Sequence, residues 1–129
     1  EIQPDPPLFG NGATERAIVE MWQRRAELGL WFHIAQTFRH LHPKMAHLEV
    51  PQVAEWGEAN KPKALEMMRI FDNQLRQNQF VAGQRYSIAD ITAQVAIDYL
   101  KPARIALPEG LDGLMRWHSE VSARPSAAA

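Results

Sequence analysis

Five histidines, His33, His40, His42, His47 and His118, are the side chains in this sequence best suited to metal binding or proton transfer. Zinc needs several ligands converging on one point. The sequence has neither a His-Glu-x-x-His stretch nor a single cysteine. His40-x-His42 at a helix end is too small a set, so packed or solvent-facing histidines, and no metal, are the expectation. A hydrolase triad needs an activated nucleophile, and no serine stands in a glycine elbow. Asp90 and Asp98 lie about two turns apart on one helix. Capping for Asp90 and a helix-surface place for Asp98 explain them better than acid–base work. There is no glycine-rich phosphate loop, and Arg24-Arg25 reads as a solvated face. No catalytic residue is expected within this chain. Trp31, Phe32, Phe38 and Tyr99 are aromatic, and residues of this kind form core more often than they line a pocket.

These side chains must be positioned by helices, and the stretch Tyr86 to Leu100 organises them. Ser87 is a natural N-cap whose hydroxyl can accept the N–H of Asp90. Asp90 can return a bond to the N–H of Ser87, which makes a capping box at the positive end of the helix dipole. Ile88, Ile91, Val95 and Tyr99 follow as one apolar stripe, and Ala89, Ala93, Ala96, Ile97 and Leu100 cover most of the rest. A helix apolar nearly all round is a buried one. The pattern predicts an all-α bundle built around a buried central helix over about residues 88–101.

With 129 residues the chain is long enough for one domain with its own core. A formal net charge of −1 gives no electrostatic case for nucleic acid or an acidic membrane surface. The absence of cysteine excludes disulfides and thiolate chemistry and is compatible with a reducing compartment. No apolar run is long enough to span a bilayer, and no signal peptide is evident. Beginning at Glu1 rather than Met, the sequence reads as a fragment or a processed form.

Residues 1–13 read as an arm or interdomain linker. Pro4, Pro6 and Pro7 oppose helix, and Gly10-Asn11-Gly12 is a turn. Thr14 is expected to cap a long helix running to about Leu41, polar in its first half and apolar nearly all round at Leu28-Gly29-Leu30-Trp31-Phe32. Gly29 inside such a helix implies close packing of another backbone or a ligand, since it costs about 1 kcal/mol relative to Ala. Arg16, Glu20, Arg24 and Glu27 alternate in sign along the polar face, which suits pairing across a two-fold axis or a plain solvated face. Pro62 either kinks a continuous helix or stands in the first turn of a new one capped by Asn60. Ala64, Met68, Phe71 and Leu75 then recur at helical spacing. Leu111, Leu114, Met115, His118 and Val121 predict a last helix, closed by Arg124-Pro125, with a frayed end beyond.

The run Gly83-Gln84-Arg85-Tyr86-Ser87-Ile88-Ala89-Asp90 resembles the glycine, aromatic, Ser/Thr, Ile, Ala, Asp pattern of the C-terminal domain of cytosolic glutathione transferases. Pro6-Pro7-Leu8-Phe9-Gly10 resembles the linker that follows the thioredoxin-like domain there. Glu15-Arg16-Ala17, Trp22, Trp117 and Arg124-Pro125-Ser126 extend the likeness along almost the whole chain. The resemblance implies that residues 14–129 are the helical domain of a cytoplasmic, bacterial-type, homodimeric enzyme. Glutathione, a co-substrate rather than a cofactor, and its activating residue would then belong to a thioredoxin-like N-terminal domain absent from this chain. It also implies a pocket for a hydrophobic electrophile, with Leu28, Trp31 and Phe32 on the first helix and Tyr99 opposite. Arg24 would face the two-fold axis and the partner's glutathione. Ser87 and Asp90 would be structural, and the chain alone inactive. The alternative is a non-catalytic scaffold of the same fold, as appended to translation factors and aminoacyl-tRNA synthetases.

Overall fold

The computed structural model describes residues 4–128. Helix α1 spans Gly12–Arg24, and a π-helical segment, Arg25–Trp31, leads directly into α2, Phe32–Leu41. A 3-10 turn at Pro43–Met45 precedes α3, Ala54–Gln77. The central helix α4 is Ile88–Asp98, α5 is Asp112–Ser122, and a 3-10 turn at Pro125–Ala127 follows. The only strand-like pairing among the described residues is a bridge between Phe80 and Gly83. The all-α bundle is therefore as expected.

Both joins of the first rod are right-handed helical, at Arg24 and at Trp31, so residues 12–41 form one continuous helix. Its N-cap is Asn11, not Thr14. The turn Gly10-Asn11-Gly12 delivers the chain three residues earlier, and the Glu15 carboxylate accepts the N–H of Asn11 at 3.0 Å. Its core side is Trp22, Ala26, Leu30 and Ile34, all buried and four residues apart. In a regular α-helix, residues four apart rotate by about 40° per step. The wider turn of the π segment counter-rotates the rod and keeps these four facing the core.

Helix α3 runs unbroken through Pro62, which rules out a fresh start at Asn60. Pro62 donates no N–H to the turn before it. Side-chain contacts to neighbouring carbonyls lie close by. Asn60 Nδ2 donates to the Trp56 carbonyl at 2.7 Å, and Thr37 Oγ1 lies 3.2 Å from the Gly57 carbonyl. Asn60 and Thr37 are fully buried.

Helix α4 ends at Asp98, not at 101; Pro102 has no N–H to offer the Asp98 carbonyl. The chain leaves through a Schellman-type turn: Arg104 N–H donates to Lys101 O and Ile105 N–H to Leu100 O, each at 3.0 Å. A second difference concerns faces. Ala89, Ala93 and Ala96 are fully buried, whereas Ile91 and Val95 are 41% and 51% exposed. The helix buries its small residues, which admit close neighbours on α1, the π segment and α5, and leaves much of its branched stripe uncovered. Trp117, Phe71, Leu30, Ile34 and Met68 are the largest side chains of the closed core, with Trp22 edge-on to Phe71 at 5.3 Å.

Candidate functional site

The capping box forms at the start of α4. Ser87 N–H donates to Asp90 Oδ2 at 2.9 Å, and Ser87 Oγ accepts the N–H of Ala89 at 3.3 Å. Asp90 does more than cap. Its other oxygen accepts the Val81 N–H at 3.0 Å and the Trp117 Nε1–H at 2.8 Å. One fully buried carboxylate thus ties together the 80–83 turn, the central helix and α5. Burial pushes its pKa up, further than the Val81, Trp117 and Ser87 donors draw it down. With both oxygens committed and no access to solvent, Asp90 is a structural group.

Asp72 of α3 plays a similar part for α5. Leu111, at the start of α5, offers no side-chain cap. Asp72 Oδ1 accepts the N–H of Leu114 at 3.0 Å, and Oδ2 accepts from Arg76 Nε at 2.7 Å. Burial raises its pKa, but the Leu114 N–H and the Arg76 guanidinium lower it by more, and the net direction is down. Gly113 permits this approach. A Cβ there would lie 2.8 Å from both Arg76 N and Asp72 O.

Four of the five histidines are held by neighbouring groups, and His47 is exposed. His33 Nδ1 donates to Asn60 Oδ1 at 2.6 Å, His40 Nδ1 accepts from Val53 N at 3.0 Å, and His42 Nδ1 accepts from Lys44 N at 3.2 Å. His118 Nε2 donates to Asp98 Oδ1 at 2.6 Å. Among the described residues, no three His, Cys, Asp or Glu side chains converge as a metal site would need.

The four residues expected to line a pocket are placed unequally. Trp31, at the end of the π segment, meets Tyr99, the C-cap of α4, edge to face at 5.1 Å. Tyr99 also meets Phe38 at 5.2 Å, and Phe38 packs on His42 at 4.8 Å. Leu28 and Phe32 stand outside this run of rings, 61% and 39% exposed. Two concavities are formed elsewhere. One, of about 750 Å³, is lined by residues from Pro4 to Asn11 together with Arg16 and Arg85. The other, of about 550 Å³, lies between the end of α4 and α5. Neither is lined by Leu28, Trp31, Phe32 or Tyr99. Trp31 and Tyr99 are thus in contact, while Leu28 and Phe32 are exposed.

Gly29 faces the flexible methyl end of Met67 rather than a backbone or a ligand. Arg24 is exposed and held on its own helix by Glu20 at 2.7 Å and Glu27 at 3.0 Å. Arg16 donates to the Gly10 carbonyl at 3.3 Å. Sequence reasoning missed the Asp72 cap and the Val81 and Trp117 arms of Asp90. Their partners are too distant in the chain to leave a local pattern.

A profile of the family described as glutathione S-transferase, C-terminal domain, matches residues 31–125. Glutathione S-transferase 2 of Saccharomyces cerevisiae is 34% identical over 122 residues, which are 94% of this chain and 52% of that protein. The crystal structure of Gtt2 from the same yeast superposes with a TM-score of 0.92 at 32% identity, over 98% of this chain and 62% of that one. A glutathione S-transferase domain-containing protein of Marinobacter aquaeolei VT8 gives 0.92 at 35% identity, with the same coverage of 98% and 62%. The chain spans about half the length of the curated relatives it matches, 52% and 56%. Its all-helical fold, its buried capping box and these matches show that the chain belongs to the glutathione S-transferase family, as a C-terminal domain.

Proposed function

We propose that the whole protein conjugates glutathione to small electrophiles, and that this domain supplies the apolar surface on which the electrophile rests. The observation that carries the reading is the edge-to-face pair Trp31 and Tyr99, 5.1 Å apart, flanked by the exposed side chains of Leu28 and Phe32. Small-molecule sites are mostly apolar with a few polar tips, and the Tyr99 hydroxyl is such a tip. In the reaction the glutathione thiol gives up its proton, and its sulfur bonds to the electrophilic carbon. The leaving group departs with the electron pair, or the adduct takes up a proton. A thiol reaches that state when a neighbouring donor lowers its pKa. In this proposal that donor, and the strand edge that pairs with the glutathione backbone, belong to a thioredoxin-like domain ahead of residues 1–13, the linker. Residues 14–129 are the helical domain, and this chain alone does not conjugate glutathione.

The proposal includes a cytoplasmic homodimer whose two-fold axis crosses Arg16, Glu20, Arg24 and Glu27. Arg24 then exchanges one of its two carboxylates on its own helix for a group on the partner, which costs little for exposed ion pairs. Tryptophan quenching by an aromatic electrophile tests the site, because Trp31 is the tryptophan in contact with Tyr99. Quenching should saturate in the parent and be lost in Trp31→Ala. Equal binding in both removes Trp31 from the site, and measurable conjugation by this chain alone overturns the division of labour.

A further inference from the structure

The loop between α2 and α3 is fastened at both ends by imidazole rings. No residue from 43 to 53 is buried, and Leu48 and Val50 are 63% and 78% exposed, so apolar contact does little to hold it. Polar bonds to the end of α2 hold it instead. At one end, His42 Nδ1 accepts the N–H of Lys44 at 3.2 Å and caps the turn Pro43–Met45. At the other, His40 Nδ1 accepts the N–H of Val53 at 3.0 Å. Val53 is the N-cap of α3, and that helix has no side-chain cap of its own. Between these ends Arg39 binds the Glu49 carboxylate at 2.6 Å, and Gln52 Nε2 donates to the carbonyls of Arg39 and His42, each at 2.9 Å.

A ring nitrogen accepts a hydrogen bond only while it carries no proton. Imidazole is the side chain that changes charge between about pH 5 and 8. A proton on Nδ1 of either ring turns an acceptor into a donor that confronts a backbone N–H. Glu49 opposes this at His40, because its Oε1 lies 3.6 Å from His40 Nε2 and favours a charged ring. Its Oε2 is already bound by Arg39, so much of its charge is met. Helix α3 meets His40 through Gly57, which brings no charge. Of the acids at the start of α3, Glu58 pairs with Lys61 at 3.0 Å, and Glu55 forms no ion pair among the described residues. His42 is faced by the Phe38 ring at 4.8 Å, and no carboxylate among the described residues pairs with it. Lys44 and His47 of the loop form no ion pair among the described residues either.

We propose that the loop 43–53 is a proton-released clasp: the neutral rings of His40 and His42 hold it against the end of α2, and their protonation frees it. The clasp stands whether or not the Trp31 and Tyr99 surface receives an electrophile.

The test is backbone amide exchange in this chain, followed by NMR from about pH 7.5 down to about 5, each rate taken relative to an unstructured chain at the same pH. Protection of the Val53 and Lys44 amides should fall about tenfold, with the midpoint at which the ring protons of His40 and His42 titrate. Amides in the middle of α4, such as Ala93, should keep their protection, which separates release of the loop from unfolding. His40→Asn/His42→Asn puts an amide oxygen near each Nδ1 position, an acceptor at every pH, so protection should persist throughout. Glu49→Gln should leave the pH dependence in place. The proposal is overturned if protection in the parent is constant, or if its midpoint differs from that of the two rings. It is also overturned if the double variant keeps the fall, if Glu49→Gln abolishes it, or if Ala93 loses protection in step. The parent's midpoint and Glu49→Gln decide the matter even where the Asn variant folds poorly.

Discussion

Replacing Asp90 by alanine should be the most damaging single change in the domain. The carboxylate is fully buried and accepts Ser87 N–H at 2.9 Å, Val81 N–H at 3.0 Å and Trp117 Nε1–H at 2.8 Å, with the Ser87 hydroxyl at 3.4 Å. Alanine leaves three N–H donors buried without partners. Each such orphan costs about 1–3 kcal/mol. The three share one acceptor, so their costs do not add in full. Burial raises the pKa of Asp90, and removing a desolvated carboxylate returns part of the loss. We expect a net loss of about 3–5 kcal/mol, a large part of the roughly 5–15 kcal/mol that holds a domain folded. For a chain of this size that lowers the melting temperature by about 10–20 °C. Urea unfolding followed by tryptophan emission measures it, with the buried Trp117 as internal reporter. Ser87→Ala should cost less, about 0.5–2 kcal/mol, because only a cap is lost. In the full-length protein, if it conjugates glutathione as proposed, molecules that remain folded should keep near-normal turnover. An Asp90→Ala loss below about 1 kcal/mol, or turnover lost at unchanged stability, would refute the assignment of Asp90 as a structural hub.

Two glycines should respond in opposite ways. Gly113→Ala places a Cβ 2.8 Å from backbone atoms of Arg76 and Asp72 and should cost about 1–3 kcal/mol in thermal or urea unfolding. Gly29→Ala meets only the mobile end of Met67 and gains helix propensity, so it should stay within about 1 kcal/mol of the parent. Asp72 has a depressed pKa in the fold. Its contribution is present above the ordinary value of 3.8 and lost as pH falls through the folded value, so Asp72→Asn should flatten the acid limb of stability against pH. Asp90 has the opposite sign. Its pKa is raised, so its contribution is complete below 3.8 and declines as pH rises through the folded value. Sedimentation of the full-length protein at low and high salt tests the dimer, and a monomer under both conditions refutes it.

Sequence alone determined what depends on neighbours within about one helical turn. The Ser87 and Asp90 capping box, the Gly10-Asn11-Gly12 turn and the spacing of Ala64, Met68, Phe71 and Leu75 are such features. Each is encoded by backbone donors and side chains only a few residues apart. The all-α class and the central place of α4 followed from them. Tertiary structure decided where long-range partners lie, and so which face of a helix is covered. Asp90 reaches Trp117 across 27 positions, and Asp72 caps α5 across 42. No local periodicity records such a contact. Helix α4 is apolar nearly all round, so composition could not tell its alanine face from its Ile91 and Val95 face. Close packing chose the smaller one. Pro62 allowed two readings, and the fold took the continuous helix. Trp31 and Tyr99 were brought together in the sequence reading only by the family resemblance, and packing decided that their rings touch. The concavity between the end of α4 and α5, lined by Lys101 and Arg104, exists because Pro102 stops α4 and a left-handed arginine turns the chain back toward α5, a geometry that only the folded chain contains.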